Sequence, residues 1–556
     1  MDMHNECAML TVSSLQKVFP NETPTLVQSA YTVMQNEVFH FQVCCKATNL
    51  TQMLRVDIDS DVADRISVRV VEGIPARYAK NVNIDDYYIK GHGNNDVYPD
   101  LLRPNIQNNE IFVPDNWFTY WITIDGRDSL LPVGKHDIKI RVYNTYAEGM
   151  WFYYDSTCVY TLNVIEGVLP KTGITYTRWL HYDCICDKHG VEPFTDGFYK
   201  ITAEYVKSAV KHGMNMLYVP IITPSLDTQI GSYRRTVQLV KVFLNGGKYS
   251  FDFTELKRFL DFALSLGIEK FELAHLASQW GAKYTPKVVA TVDGEEKRIF
   301  GWEYPITYPE YSRFLNAMLP ELKKFFEDNG YIDRVYFHIS DEPQPDALDN
   351  FRVVWDIVSK VFPNARFMDA LSHSDFYDAG YINHPVVGIE VYDNFPTEWV
   401  YYCGCMCRKY ETNCHFIMPS QRTRILGFEM YRNGSTGFLQ WAINYYHTTN
   451  SRQKIDPYFV SDAGGGFEAG DSYVVYPAGD TVYESLRHEV FFDAFQDYSA
   501  LKVLESYIGK DKVLQLLDDE GVKKNYKDYP RSAEWHLAFK LKIYDLIEQA
   551  RKAAKA

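Results

Sequence analysis

The chain has 556 residues, is 46% hydrophobic and 23% charged, and carries a formal net charge of −15. That composition makes it globular rather than disordered and argues against a partner held by phosphate neutralisation, so neither nucleic acid nor an anionic membrane is expected. A chain this long buries a large core without disulfide staples, and aromatic residues make up 15% of it.

The first residues, MDMHNECAMLTVSSLQKVFP, contain neither a basic leader nor a continuous apolar run. No secretory signal is expected, and the expected location is cytoplasmic. No stretch of 18 uncharged apolar residues occurs, so no membrane span is expected. Up to about residue 165 the chain reads as short strands with near period-two alternation: 39–47, 54–60, 66–74, 118–126, 136–144 and 157–167. Turn residues separate them, which predicts a β-sandwich over 1–167. Residues 168–174 then read as a linker.

From 174 the rhythm changes. Apolar runs at 174–184, 214–220, 269–276, 333–340, 365–372, 386–393, 415–420 and 436–446 alternate with helical patterns. The helices are expected at 197–212, 253–266, 308–328, 345–361, near 397–411, at 422–432 and at 484–500. Eight alternations predict an α/β fold with parallel pairing, a (β/α)₈ barrel over 168–500, with an open doubly wound sheet as the alternative. Residues 501–556 read as a C-terminal helical segment.

Barrel enzymes work at the C-terminal ends of their strands, and that rule converts the strand assignment into candidate residues. The ends carry His181 and Asp183, His275 with Gln279 and Trp280, Asp341 and Glu342, Asp369, Tyr392, and Trp441 with Asn444. No Gly-rich phosphate loop, H-E-x-x-H motif or G-x-S-x-G elbow occurs, so no nucleotide cofactor is expected. The sharpest feature is HISDEP at 338–343. Pro343 biases Glu342 away from the helical region, and a strand that ends or bulges here would turn both carboxylates toward one ligand. Two carboxylates in one pocket push their pKa values apart, so that one holds a proton near neutral pH, as a general acid requires. The same residues also fit a helix start with acidic side chains in its first turn.

Trp441, Tyr445 and Tyr446 surround Asn444, and Trp280 and Trp302 follow the third run. Sugars present flat C–H faces to such rings and hydroxyls to Asp, Asn, Gln and His, so the set fits a carbohydrate. Taken singly, these aromatics also fit barrel core, and His181 and His275 fit structural histidines. Cys403, Cys405, Cys407, Cys414 and His415 form a cluster without the usual zinc spacing, better read as reduced buried thiols than as a metal site.

The chain resembles glycoside hydrolase family 123, the β-N-acetylgalactosaminidases. The resemblance is carried by TRWLHYDC (177–184), HGMNMLYVPIITPSLDT (212–228), RRTVQLV (234–240), HLASQWGAKYTP (275–286) and FGWE (300–303). It continues through HISDEP (338–343), MDALS (368–372), GFLQWAINYY (437–446) and the stretch 476–501, in the same order. It implies a β-sandwich followed by a (β/α)₈ barrel and a retaining, exo-acting hydrolase of terminal β-linked amino sugars. On that resemblance the sugar's 2-acetamido oxygen attacks its own anomeric carbon. Glu342 would be the acid and base, and Asp341 would orient the acetamido group, with no metal or cofactor required. The candidate substrate-binding set, taken from the strand ends, is His181, Asp183, His275, Gln279, Trp280, Asp369, Tyr392, Trp441 and Asn444. The competing readings are a non-catalytic carbohydrate-binding barrel, a two-carboxylate retaining glycosidase for sugars without a 2-acetamido group, and a metal-dependent redox protein built on the cysteines. The sequence leaves open GalNAc against GlcNAc and the oligomeric state.

Overall fold

The computed structural model describes residues 7–79, 85, 87–144, 153–402 and 409–555. Cys403, Cys405 and Cys407, with most of the expected cysteine cluster, therefore lie outside the described residues. The chain divides into two compact units, one of 1–173, 408–433 and 483–556, the other of 174–407 and 434–482.

The first unit is sheet-rich at its N-terminal end. Strands Cys7–Ser13, Val38–Ala47, Phe118–Asp125, Ile66–Ala76 and Asp96–Pro104 form one five-stranded sheet in that order. Ala30–Met34, Asp155–Ile165, Gly134–Asn144, Thr51–Asp59 and Glu110–Phe112 form a second. One apolar cluster, including Val33, Phe41, Val56, Tyr120, Ile140 and Leu162, draws from both sheets. The alternation seen in sequence is this burial: in Gly134–Asn144 every second residue is buried. All six expected strands are present; Cys7–Ser13, Ala30–Met34, Asp96–Pro104 and Glu110–Phe112 are additional. The unit also contains the helix Leu486–Ile508, which covers the helix expected at 484–500 in the barrel, and Lys510–Asp519 and Ala533–Lys555, which lie in the expected C-terminal helical segment. Asp497, on the first of these, is buried against Arg424, Lys540 and His536, and the two cations compensate its charge. No helix among the described residues is long and apolar enough to cross a membrane.

The second unit is a nearly closed parallel barrel of eight strands: Thr175–Arg178, Met216–Val219, Lys270–Leu273, Val335–Phe337, Met368–Leu371, His384–Gly388, Trp399–Tyr401 and Gly437–Gln440. The eighth pairs with the first, and only the seam between the fourth and fifth is thin, held by one parallel bridge from Phe337 to Phe367. The strands are three to five residues long and almost wholly buried, which is why they read as continuous apolar runs rather than alternating ones. Helices Asp196–Lys211, Thr254–Ser265, Pro309–Asp328 and Leu348–Val361 follow the first four strands, as expected. Thr195 caps the first of these through Phe198 N–H, and Pro309 opens the third where its missing N–H costs nothing.

Two expectations fail here. The helix near 397–411 is absent at its start: Trp399–Tyr401 is the seventh barrel strand, paired in parallel on both sides. The run 415–420 is not a strand and belongs to the first unit, where Phe416 and Ile417 are core residues.

Candidate active site

The fourth strand ends at Phe337, four residues before the acid pair. The chain then leaves β geometry, and Glu342 takes a left-handed conformation with φ of 44°. A bulky residue before proline adopts that shape at a cost of about 1–3 kcal/mol, the kind of strain that marks a functional turn. Its effect is to bring both carboxylates to one cavity of about 310 Å³, as the sequence required.

That cavity is lined by Trp179, Asp227, Gln279, Trp280, Asp341, Glu342, Tyr401, Tyr402, Trp441, Phe467 and Asp471, with Ala370 and Leu439. The Tyr401 hydroxyl donates to Glu342 Oε1 at 3.1 Å. The Asp341 carboxylate accepts no hydrogen bond from a described side chain, while its backbone carbonyl accepts Trp280 N–H at 2.8 Å. Burial first, and the charge of Glu342 second, push the Asp341 carboxyl well above the usual carboxylate range, against the opposing pull of His338. The two carboxyls therefore titrate as a coupled pair, as two acids sharing one cavity must.

Five expected residues meet in the cavity: Gln279, Trp280, Asp341, Glu342 and Trp441. Trp441 Nε1–H donates to Asp471 Oδ2 at 3.1 Å, which fixes the indole. Gln279 Oε1 accepts Asp227 N–H, and its buried Nε2 has no acceptor among the described residues. The other six stand outside the lining. Asn444 spends both ends of its amide on the backbone of His181, accepting its N–H at 2.9 Å and donating to its carbonyl at 3.2 Å. It is a buried brace, not a hydroxyl binder. Asp183 is clasped by both arms of Arg234 at 2.6 and 2.7 Å. Burial alone would raise its carboxyl, but the guanidinium outweighs this and holds it below the ordinary range. His181 is driven down to about 3 by burial and by Arg234, and is a neutral imidazole. Tyr392 is buried after the sixth strand, while Tyr445 and Tyr446 are core, their hydroxyls on the carbonyls of Thr448 and Val475.

His275 and Asp369 belong to a buried network next to the cavity. Its centre is His338, whose Nε2 faces Glu272 and whose Nδ1 lies 2.6 Å from Asp369. Glu272 also accepts the Trp179 indole N–H and the Thr177 hydroxyl, each at 2.7 Å. Burial opposes a charge on His338, but the flanking carboxylates outweigh it and raise its pKa to about 10. The charged ring stands 4.2 Å from that of His275, which burial and this neighbour hold well below its usual value. Asp369 is pushed up to about 6 by burial, with His338 pulling the other way. Trp179, tied to Glu272, and Ala370, next to Asp369 in the fifth strand, line the cavity, so the network stands directly behind its wall.

A stability prediction follows. A histidine whose folded pKa lies above its unfolded one stabilises fully below about 6.5 and loses that contribution as pH rises through about 10. Wild-type melting temperature should therefore fall between those limits more steeply than that of His338→Gln. Parallel curves would remove the ionic reading of the network.

Two groups of metal-binding residue types come together among the described residues, His275–His338–Asp369 and Asp183–Cys184–His447. Both ring nitrogens of His338 are committed to carboxylates and Asp183 is committed to Arg234, so either group would have to break ion pairs to take a cation.

Sequence reasoning missed Trp179, Asp227, Tyr401, Tyr402, Phe467 and Asp471 in the lining, and Glu272, His338 and Arg234 behind it. Glu272 carried a usable signal, a lone carboxylate inside an apolar strand, which must find a buried partner. Asp227 and Asp471 lie in irregular loops and carried none.

Among solved structures, the chain is similar to a family 123 glycoside hydrolase from Clostridium perfringens, with 14% identity, 98% of each chain covered and a TM-score of 0.74. A family 5 glycoside hydrolase from Bacteroides vulgatus (10% identity, 60% of this chain and 67% of that one, TM-score 0.30) is too distant to carry weight. So is a β-D-glucuronidase from Dictyoglomus thermophilum (8% identity, 86% and 72%, TM-score 0.31). No curated protein matches the chain. The sequence pattern of the glycoside hydrolase 123 catalytic domain matches residues 179–504, which is more than half of the chain and includes every residue lining the cavity. An acid pair in an aromatic-walled cavity, on a barrel matched over that span, is what a sugar-cleaving site needs, and the chain belongs to glycoside hydrolase family 123: it is a glycosidase, and its substrate is a carbohydrate.

Proposed function

We propose that the protein is an exo-acting, retaining β-N-acetylhexosaminidase that uses the 2-acetamido group of its substrate as the nucleophile. The observation that carries this reading is the convergence of Asp341 and Glu342 on one cavity walled by Trp179, Trp280 and Trp441. In it Glu342 donates its proton to the leaving oxygen and later takes one from water. Asp341 accepts a hydrogen bond from the acetamido N–H. As the acetamido oxygen closes on the anomeric carbon, positive charge grows on that nitrogen. A carboxyl held above its normal range in this structure has the proton affinity to stabilise it. The Clostridium perfringens relative is associated with glycolipid glycan hydrolysis, and a glycan with a terminal β-linked amino sugar is the substrate class proposed here. On the same reading the barrel is of the (β/α)₈ kind, preceded in sequence by a β-sandwich.

The test is a panel of aryl β-glycosides of galactose, glucose, GalNAc and GlcNAc. Turnover confined to the acetamido members, with retention at the anomeric carbon, is the expected result. Comparable turnover of the sugars lacking that group would overturn the proposal and favour a two-carboxylate glycosidase.

A further inference from the structure

Asp369 and Ser340 are buried and neither lines the cavity, yet both are tied to the segment that carries the acid pair. Residues 338–341 lie beyond the end of the fourth strand, and a loop that follows the third strand holds their backbone. Leu276 N–H donates to the His338 carbonyl at 3.4 Å, Ala277 N–H to that of Ile339 at 2.8 Å, and Trp280 N–H to that of Asp341 at 2.8 Å. Ser340 joins this row through its side chain, whose hydroxyl donates to the Ser278 carbonyl at 2.8 Å. The loop is itself pinned, because Ser278 exchanges two hydrogen bonds with Tyr284.

The fifth strand holds the same segment through Asp369. Its Oδ1 lies 2.6 Å from His338 Nδ1, and its Oδ2 lies 3.5 Å from the Ile339 nitrogen. Burial raises the Asp369 carboxyl, and His338 with the N–H groups of Ile339 and Ser340 draws it back toward the anion. Asp369 thus spans the seam that the barrel sheet crosses with a single bridge. Just beyond, Glu342 stands at φ of 44°, and a strained residue persists only where its surroundings over-determine it. These ties supply that constraint. Resting on the reading of Asp341 and Glu342 as the reacting pair, we propose that Asp369 and Ser340 are positioning residues: they fix the backbone of 339–341 so that both carboxyls meet the substrate in register, while neither touches it.

The experiment uses wild type, Asp369→Asn and Ser340→Ala. It measures kcat and KM on the 4-nitrophenyl glycoside of the sugar found with the aryl panel, and Ki for the product sugar and for its thiazoline mimic. Asparagine can accept from His338 or from Ile339 but not from both, since its amide nitrogen then meets an N–H. Ser340→Ala removes one donor and no charge. A displaced pair loses reactivity more than affinity, so Asp369→Asn should lower kcat by about 10–100-fold and Ser340→Ala by about 3–10-fold, with KM near the wild-type value. Ki for the mimic should rise as kcat falls while Ki for the product stays unchanged, because only the cationic ring reads the placement of Asp341. Residues that merely support the fold would lower the melting temperature and leave kcat and both Ki values intact in protein folded at the assay temperature. That result in Asp369→Asn, or in Ser340→Ala should Asp369→Asn not fold, would overturn the proposal. If the mimic binds wild type no better than the product does, substrate assistance falls, and the split between kcat and KM still decides the role of Asp369 and Ser340.

Discussion

Glu342→Gln is expected to lower turnover of unactivated glycosides by roughly 10²–10⁴-fold, the usual worth of a positioned proton donor. The variant keeps the shape of the side chain and an oxygen for the Tyr401 hydroxyl, so the loss should come from the missing proton and not from a collapsed turn. The loss should shrink as the leaving group improves, because a dinitrophenolate departs without protonation. It should also fall mainly on kcat, since the proton moves only in the transition state. Equal losses on activated and unactivated substrates would take the acid role away from Glu342 and leave it as a residue that shapes the turn at 338–343. The strained backbone at Glu342 makes that alternative a real one, and a circular dichroism melt of the variant separates the two.

That Asp341 and Glu342 would meet at one cavity was legible because two simple rules intersect at HISDEP: barrel strand ends converge on one face, and proline disfavours the helical shape just before it. The number of barrel strands was legible too, but one was assigned to the wrong residues. Trp399–Tyr401 is three residues long, too short to show any period, and the apolar run 415–420 offered a stronger pattern nearby. That run is apolar because it fills the core of the other unit, and a single sequence does not reveal which core an apolar stretch enters. The error also hid Tyr401 and Tyr402, which reach the cavity only because that strand exists. The missed strands of the first unit have local causes. Asp96–Pro104 carries prolines at 99 and 104, and Glu110–Phe112 is three residues long. The six residues placed near the site that do not line it share another cause. Strand-end position selects a layer of side chains, but whether each turns to the cavity or to a neighbour depends on partners far away in sequence. Asn444 finds the His181 backbone and Asp183 finds Arg234.

Asp341→Asn is expected to lower turnover by about 10²–10³-fold, and a thiazoline mimic of the cyclised acetamido intermediate should bind at least roughly 10²-fold more tightly than the product sugar. Both follow from the same geometry. Asp341 adjoins Glu342 on one tight turn, so it is poorly placed to attack the anomeric carbon from the face opposite the acid. Asp183 and Asp369, the other carboxylates of the strand-end set, do not line the cavity, and Asp183 is neutralised by Arg234. The carboxylates that do line it are Asp227 and Asp471. Asp227 Oδ2 is occupied by Asn450 N–H and Asp471 Oδ2 by the Trp441 indole, each of which lowers the nucleophilicity of its oxygen. On the proposed function the nucleophile is the acetamido oxygen of the substrate. A site complementary to the resulting cation binds a stable cationic mimic far better than a neutral sugar, and Asp341→Asn should erase most of that preference while changing affinity for the product little. Successive fluorination of the acetyl methyl weakens the attacking carbonyl oxygen and should slow cleavage step by step. A 2-fluoro sugar that instead left a covalent adduct on Asp227 or Asp471, found by peptide mass mapping, would replace substrate assistance with a conventional enzymic nucleophile and would reassign Asp341 to a purely electrostatic role.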